Sequence, residues 1–528
     1  MTPMDIDALL DQDFGLISDL IRRHAQQQPA RAALVANGRS LDYASFDRLI
    51  DRTAAALQRD GVRLGGALAI CAAASIEYAV VFIAGLRAGI AVAPLAPSST
   101  PESLLGMVRD ADARVLFVDR ESAQQLVPLL AQLNARLVLL DGDVDSESGH
   151  VDGRACFADW LAEEGARPQP VEIDSTLPFN IIYSSGTTGT PKGIVQSHGM
   201  RWAHVQRGAM VGYGPDAVTL LATPLYSNTT LVSFFPTLTL GGTVVLMPKF
   251  DAHSYLELAQ RHRVTHTMLV PVQYQRLMAR ADFDDYDLSS FRMKFCTSAP
   301  FAAALKADVL KRWPGGLIEY YGMTEGGGTL VLAAHEFPHK LHTVGQPAPG
   351  HDIRLIDDDG REVAVGELGE VVGHSPAMMN AYHNQPGKTA EAEWRDASGK
   401  RFIRTGDVGR FDEDGFLALF DRKKDMIISG GFNVYPTDLE AVLRTHPAVF
   451  DTAVVGVPSE RWGETPVAFV VLREGVSIGS AKLMAWTNDK LGKTQRLSAL
   501  ELIDSLPRSA IGKVLKRSLR DGFGGRLA

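Results

Sequence analysis

Tyr183-Ser-Ser-Gly-Thr-Thr-Gly-Thr-Pro-Lys-Gly193 is the stretch around which the chain is organised. Immediately upstream, Leu177-Pro-Phe-Asn-Ile-Ile182 is a short apolar run that predicts a strand feeding a loop. Glycines let backbone N–H groups turn into one concavity, hydroxyls add further donors, and Lys192 adds a positive charge. That donor set suits a polyphosphate. It is not a Walker A loop, because Pro191 stands where that motif needs Gly-Lys-Ser/Thr. A flexible linker shares the composition, but not the apolar strand on one side and Pro-Lys-Gly on the other.

Outward from the loop, bulk properties set limits. A chain of 528 residues is too long for one core and predicts two or more domains. Its 45% hydrophobic and 22% charged residues are ordinary for a globular protein. A net charge of −9 argues against a broad nucleic-acid surface. Cys71, Cys156 and Cys296 lie far apart, without metal-ligand spacing or a disulfide framework, which fits a reducing cytoplasm. The acidic start Met1-Thr-Pro-Met-Asp-Ile-Asp7 predicts no signal peptide. The most apolar region, 65–97, is broken by Glu77 and Arg87 and predicts a buried helix and strand, not a membrane span.

In chain order, strands predicted at 32–36, 67–71, 90–94, 115–118 and 137–140 alternate with helices over 14–24, from 41 and over 76–88. That rhythm predicts a layered α/β domain with a largely parallel sheet. Residues 141–170, polar and Gly-rich, predict a surface connection. After the loop come strands at 219–226, 242–247, 265–270 and 293–298, with a core helix over 229–240. From about 344 to 421, short alternating runs between Asp/Gly turns predict a small β-barrel-like subdomain. The charged turn Asp421-Arg-Lys-Lys-Asp425 then ends the N-terminal domain, 1–421. A small α+β C-terminal domain, 422–528, follows, with a helix at 438–444.

Further stations carry chemistry. Glu319-Tyr-Tyr-Gly-Met-Thr-Glu-Gly-Gly-Gly328 offers flat rings for a base, a hydroxyl for phosphate and a hard oxygen for Mg2+. Arg404-Thr-Gly-Asp407 sets a carboxylate in a tight turn, where it could serve a diol or simply cap the turn. Leu506-Pro-Arg-Ser-Ala-Ile-Gly-Lys-Val-Leu-Lys516 frames Lys513 within Pro-x-x-x-x-Gly-Lys.

Together these stretches resemble the adenylate-forming superfamily, in particular its acyl-CoA synthetases, over about residues 15–520. The resemblance implies an ATP and AMP site from Ser184, Ser185, Gly186, Thr187, Thr188, Gly189, Thr190 and Lys192, with Ser298, Ala299 and Pro300. Tyr320, Tyr321, Gly322, Met323 and Thr324 would complete it, Tyr321 stacking on adenine and Thr324 meeting the α-phosphate. It implies Glu325 as the Mg2+ ligand, Asp407 and Arg422 on the ribose, Lys424 as hinge and Lys513 as the adenylating lysine. For coenzyme A it implies Ser429, Gly430, Gly431, Trp462, Lys493 and Arg496, although Lys493-Thr-Gln-Arg-Leu497 lacks the proline usual after such a lysine.

The chemistry explains the parts. A carboxylate becomes reactive once its oxygen attacks the α-phosphorus of ATP and AMP becomes a leaving group, a step needing positioning and charge stabilisation. A thiol then attacks the adenylate, and a mobile C-terminal domain resolves the conflict between the two steps. The expected activity is acid:CoA ligation. The alternative is loading of a non-amino acid onto a carrier-protein thiol. Amino-acid activation is disfavoured because Thr223-Pro-Leu-Tyr-Ser-Asn-Thr-Thr230 lacks the aspartate that binds an amine. Ser227 stands where aryl ligases commonly have histidine. The expected acid pocket, Tyr226, Ser227, Asn228, Phe234, Thr297, Ser298 and Met323, suits an aromatic, alicyclic or medium-chain acid, with no pair of arginines to demand a dicarboxylate. The partner is thus a small carboxylic acid, and a homodimer stays open.

Overall fold

A computed structural model describes residues 8, 11–141, 155–184, 192–422, 425–429, 432–459, 461–492, 495–509 and 512–523. Ser185, Gly186, Thr187, Thr188, Gly189, Thr190, Lys424, Gly430, Gly431 and Lys493 lie outside the described residues. For Ser184 and Arg422 only the backbone is described.

The chain divides into two compact units. The first comprises Met1–Leu341, Pro347–Asp352 and His374–Ile403; the second comprises His342–Gln346, Ile353–Gly373 and Arg404–Ala528. Most of the segment expected as a subdomain of the N-terminal domain therefore clusters with the C-terminal residues.

Two large sheets build the first unit. One has eight strands in the order Ala381–Tyr382, Lys192–Ser197, Pro178–Ser184, Ala91–Leu95, Ala67–Cys71, Ala113–Val118, Arg136–Leu139 and Ala155–Cys156. The other, of nine strands, has a parallel centre of Gly316–Tyr321, Met293–Cys296, His266–Leu269, Val218–Leu221, Thr243–Leu246 and Ala32–Ala36. Ala67–Cys71 and Ala91–Leu95 are buried at every residue, as the continuous apolar runs of parallel strands require.

Helix Ile76–Arg87 starts where the Ser75 side chain accepts the Tyr78 N–H, and it is buried on nearly every face. Its charges are paired. Glu77 meets Arg39 at 2.8 Å, and Arg87 meets Asp47 and Asp51 at 2.6 and 2.9 Å. Phe82 on this helix, Phe179 on the strand before the phosphate loop and Phe235 on helix Asn228–Thr239 form a packed trio with centroids 5.1 to 6.3 Å apart. That trio fixes the strand that delivers the loop.

Two local expectations need correction. Residues 155–160 are not surface connection: they form a short strand and turn of helix whose Trp160 is fully buried against Phe117 at 5.1 Å. The strand expected over 219–226 ends at Leu221. Pro224 follows, and Thr230 Oγ1 bonds Thr223 Oγ1 and the Pro224 carbonyl, turning the chain into the next helix.

The β-barrel-like segment is a five-stranded sheet, and the division between units falls within its strand Arg401–Phe411. In the second unit, strands Phe432–Val434, Ile427–Ser429, Gly463–Leu472 and Val449–Ser459 pair in that order, with Ala499–Leu502 parallel to Gly463–Leu472. Helix Pro436–Arg444 packs Leu439 and Leu443 on Ile427, Val454 and Val470 in a separate small core. Among the described residues, no helix is long and apolar enough to cross a membrane.

Candidate active site

Strands Pro178–Ser184 and Lys192–Ser197 pair antiparallel, with Ser184 opposite Lys192 and Tyr183 opposite Gly193. The phosphate loop therefore joins the two arms of a hairpin. The sequence reading missed the second arm and the helix His198–Met210 that follows it, capped where Ser197 Oγ accepts the Met200 N–H at 3.1 Å. The first arm is anchored by the Tyr183 hydroxyl, which donates to Asp110 Oδ2 at 2.7 Å. Burial, then that hydrogen bond, pushes the phenol upward and keeps it a donor.

Lys192 Nζ stands 5.0 Å from the centroid of the Tyr382 ring. The Tyr382 hydroxyl donates to Glu325 Oε1 at 2.7 Å. Burial, then the Glu325 charge, raises this phenol, so it remains a donor that orients the carboxylate. Cation, ring and carboxylate thus lie in one contiguous group. Tyr382 was missed from sequence. Its only signal is placement, because Ala381 and Tyr382 pair with Val195 and Ile194 on the hairpin.

The 322–328 turn is held from two sides. Gln196 Nε2 donates to the Thr324 carbonyl at 2.6 Å, and Met379 N–H donates to the Glu325 carbonyl at 2.8 Å. Gln196 is itself fixed, since its Oε1 accepts from Asn180 Nδ2 at 3.0 Å and from Arg201. Gly326 has φ +74°, and a Cβ there would stand 1.9 Å from the Ala377 carbonyl oxygen. Only glycine fits.

Tyr320 stacks on Phe295 at 5.7 Å, and both it and Tyr321, at the strand end, are half-buried. Gly322 is exposed, and Met323 packs on the small cluster of Ile194, Met379, Tyr382 and Ile403. Ser298 holds φ +81°, a strained value for a non-glycine residue, and its Oγ meets Thr229 Oγ1 at 2.5 Å. Thr297 and Ala299 are half-buried beside it, and Pro300 is exposed.

Among the expected acid-pocket residues, Ser227 caps helix Asn228–Thr239 by accepting the Thr229 N–H at 3.3 Å. Asn228 Oδ1 lies 3.5 Å from Gln196 Nε2, and Tyr226 is half-buried. Phe234 differs: it has no exposed surface and packs on Phe235 at 5.2 Å, so it belongs to the core.

In the second unit, Asp407 faces Arg422 in strand register, and its N–H donates to Thr405 Oγ1 at 3.0 Å. Arg404 makes a two-pronged ion pair with Glu370 at 3.0 and 2.5 Å. Ser429 pairs with both Phe432 and Gly463 in strand register, which brings Trp462 to the same sheet corner. Trp462, Phe432 and Ile428 are 46%, 60% and 53% exposed; Phe432 shares the sheet face of Ser429, and Ile428 lies on the opposite one. Arg461 lies 4.7 Å over the Trp462 ring, and Arg496 is exposed.

Lys513 sits in a turn where Arg508 pairs with Val514. Ser509 N–H donates to the Lys513 carbonyl at 2.8 Å, and Lys513 N–H donates to Ser509 Oγ at 3.2 Å. Arg508 ties the turn to Asp451 at 2.6 Å. Its neighbour Lys516 has another task, pairing with the buried Glu440 at 3.1 Å.

A phosphate-loop hairpin, a carboxylate turn beside it and a small second unit with a lysine turn define an adenylating enzyme. A family model described as AMP-binding enzyme matches residues 21–383, and one described as AMP-binding enzyme C-terminal domain matches residues 438–513. The chain belongs to this family, on the acyl-CoA synthetase branch of the adenylate-forming superfamily, and is an AMP-forming acid–thiol ligase. It is 35% identical over 515 residues to a feruloyl-CoA synthase of an Amycolatopsis species, covering 97% of this chain and 99% of that one. It is 32% identical over 517 residues to the fatty acid–[acyl-carrier-protein] ligase ScoC of Streptomyces coeruleorubidus, covering 95% of each chain. ATP-bound MatB from Rhodopseudomonas palustris has a similar structure, with a TM-score of 0.85 and 28% identity over 97% of this chain and 100% of that one.

Proposed function

We propose that the chain activates a carboxylic acid as its acyl adenylate, releasing diphosphate, and then transfers the acyl group to coenzyme A. The observation that carries this is the Lys192–Tyr382–Glu325 group, which places a cation and an oriented carboxylate at the mouth of the phosphate-loop hairpin. Lys192 neutralises charge that gathers on the phosphates as the acid oxygen attacks the α-phosphorus. Thr324, whose carbonyl is fixed by Gln196, offers its hydroxyl to the same phosphate. Tyr321 offers its ring to adenine, and Asp407 with Arg422 receives the ribose.

Glu325 would hold Mg2+, with one oxygen oriented by Tyr382 and the other offered to the ion. A single protein carboxylate plus substrate phosphates fits how this ion is bound. Mg2+ would there neutralise phosphate charge. Lys513 completes the first step. The exposed face of Ser429, Phe432 and Trp462 supports a pantetheine-bearing thiol in the second, and the charged stretch 421–425, which lies inside the second unit, serves as the pivot. Three buried, free cysteines support a reducing cytoplasm.

The test follows AMP release by the purified chain with ATP, Mg2+ and CoA across benzoates, hydroxycinnamates, cyclohexane acids and fatty acids. AMP formed only when acid and CoA are both present is the expected result. Acid-dependent diphosphate release that CoA leaves unchanged would replace this reading with carrier-protein loading.

A further inference from the structure

Helix His198–Met210 carries two buried-side arginines with opposite surroundings. Arg201 has no exposed surface. It donates to Asn180 Oδ1 at 3.1 and 2.9 Å and to Gln196 Oε1, and it lies 5.7 Å from the ring centres of Phe179 and Phe235. Among the described residues, Arg207 reaches only Thr329 Oγ1, at 3.5 Å, the outer limit of a hydrogen bond. Among the described residues, no carboxylate pairs with it.

Arg207 is nonetheless half-buried, and burial lowers its pKa. It also keeps some accessible surface. Tyr320 and His351 share this character: both keep surface, while burial moves Tyr320 up to about 12 and His351 down to about 4.

The surroundings of Arg207 are rich in donors. His351 Nδ1 accepts the Thr329 N–H at 2.8 Å, so the neutral ring carries its proton on Nε2. His204, one turn before Arg207, receives Arg201 Nη1 on Nδ1 at 3.3 Å and likewise keeps an Nε2 proton. The charges acting on His204 are Arg207, Arg201 and His351, and those acting on His351 are Arg207 and His374. Burying a cation among donors without a counter-ion is costly, and a bound anion removes that cost.

The group also abuts the adenylation turn. Thr329 Oγ1 stands 3.7 Å from a Cβ built on Gly322, and Met200 Cε stands 2.7 Å from one built on Gly326. Arg207 lies seven residues beyond Met200, about 10 Å along the helix, a span matching the length of a small acid.

We propose that the acid cavity ends in an anion subsite formed by Arg207 with Thr329 and His351, so that the substrate carries a second carboxylate at its far end. This rests on the acid-activating function above and replaces the sequence expectation of a pocket with no call for a dicarboxylate. A single arginine on a helix absent from the sequence reading carried no signal there.

The test offers aliphatic and aromatic acids in matched series, each with a distal methyl, carboxamide or carboxylate, and measures acid-dependent ATP–diphosphate exchange. In the wild-type protein, kcat/KM for the distal carboxylate should exceed that for the matched methyl by at least about tenfold, the scale of one charged hydrogen bond. Arg207→Met should abolish that preference and Arg207→Lys should retain part of it. Nucleotide-induced thermal stabilisation of each variant reports its folding. Methyl-terminated acids preferred by the wild type would overturn the subsite and leave acid activation standing, whatever the variants do. Exchange with no acid in any series would overturn both.

Discussion

At the scale of single residues, Lys513 and Tyr382 divide two kinds of work. Lys513 is set in a turn pinned by Arg508 and Ser509, so its backbone is fixed while its side chain is long enough to reach phosphate. Removing one such charge-stabilising group typically costs about 10²- to 10³-fold in rate. Lys513→Ala should therefore lower ATP–diphosphate exchange by about that factor. Thioester formation from preformed acyl adenylate should stay within about threefold of wild type, and an equal fall in both steps would refute the assignment. Tyr382 acts through Glu325, donating at 2.7 Å to the carboxylate proposed to hold Mg2+. A hydrogen bond to a charged group contributes about 1.5–3 kcal/mol. Tyr382→Phe should raise the Mg2+ concentration for half-maximal exchange severalfold, with the KM for the acid little changed. An unaltered Mg2+ dependence would reduce Tyr382 to packing. The two roles were not equally legible: Lys513 stood in a Pro-x-x-x-x-Gly-Lys frame, whereas Tyr382 stood in no motif and is joined to Glu325 only by folding across a sequence separation of 57.

At the scale of elements, the legible parts were those whose burial is uniform. Ala67–Cys71 and Ala91–Leu95 are apolar because both faces are covered, and their sequences say so. The helix His198–Met210 was not legible, because Arg201 and His204 occupy its buried face and blur the apolar period. Trp160 was overlooked because its burial depends on Phe117, over forty positions upstream. The second unit shows how a buried charge holds an element. Burial works to raise the Glu440 pKa, but Lys516, Arg444 and the Val454 N–H outweigh it and hold the carboxyl below its usual value of 4.5. Helix Lys516–Phe523 is thereby tied to helix Pro436–Arg444 at 3.1 Å. Lys516→Met leaves Arg444 and one N–H on a buried carboxylate and should destabilise the second unit by about 2 kcal/mol. A depressed acid contributes stability above its unfolded pKa and loses it as pH falls through the folded value. The deficit of the variant should accordingly be full at pH 7 and shrink below pH 4.5. Denaturant titrations of both proteins at several pH values would measure it, and a deficit independent of pH would place its origin in lost packing.

At the scale of the whole molecule, the two units have separate cores and separate tools. The first holds Lys192, Thr324, Glu325 and the proposed anion subsite, built on the two large sheets. The second holds both Lys513 and the open apolar face around Trp462. On the proposed assignments, one small unit carries both the charge for adenylation and the face for a thiol, and the two half-reactions use them in turn. The charged turn 421–425 leads into the strands that bear Ser429 and Phe432, and it is the proposed pivot. Proline fixes φ near −65° and removes a backbone donor, so Lys424→Pro restricts rotation there without touching either set of tools. Exchange of diphosphate into ATP should remain within about threefold of wild type, while transfer from preformed acyl adenylate to CoA should slow by at least about tenfold, the signature of a blocked conformational step. Rapid-quench measurement of each half-reaction separates the two. Equal slowing of both would mean that the substitution disturbs folding or nucleotide binding, and unimpaired transfer would move the pivot away from residue 424.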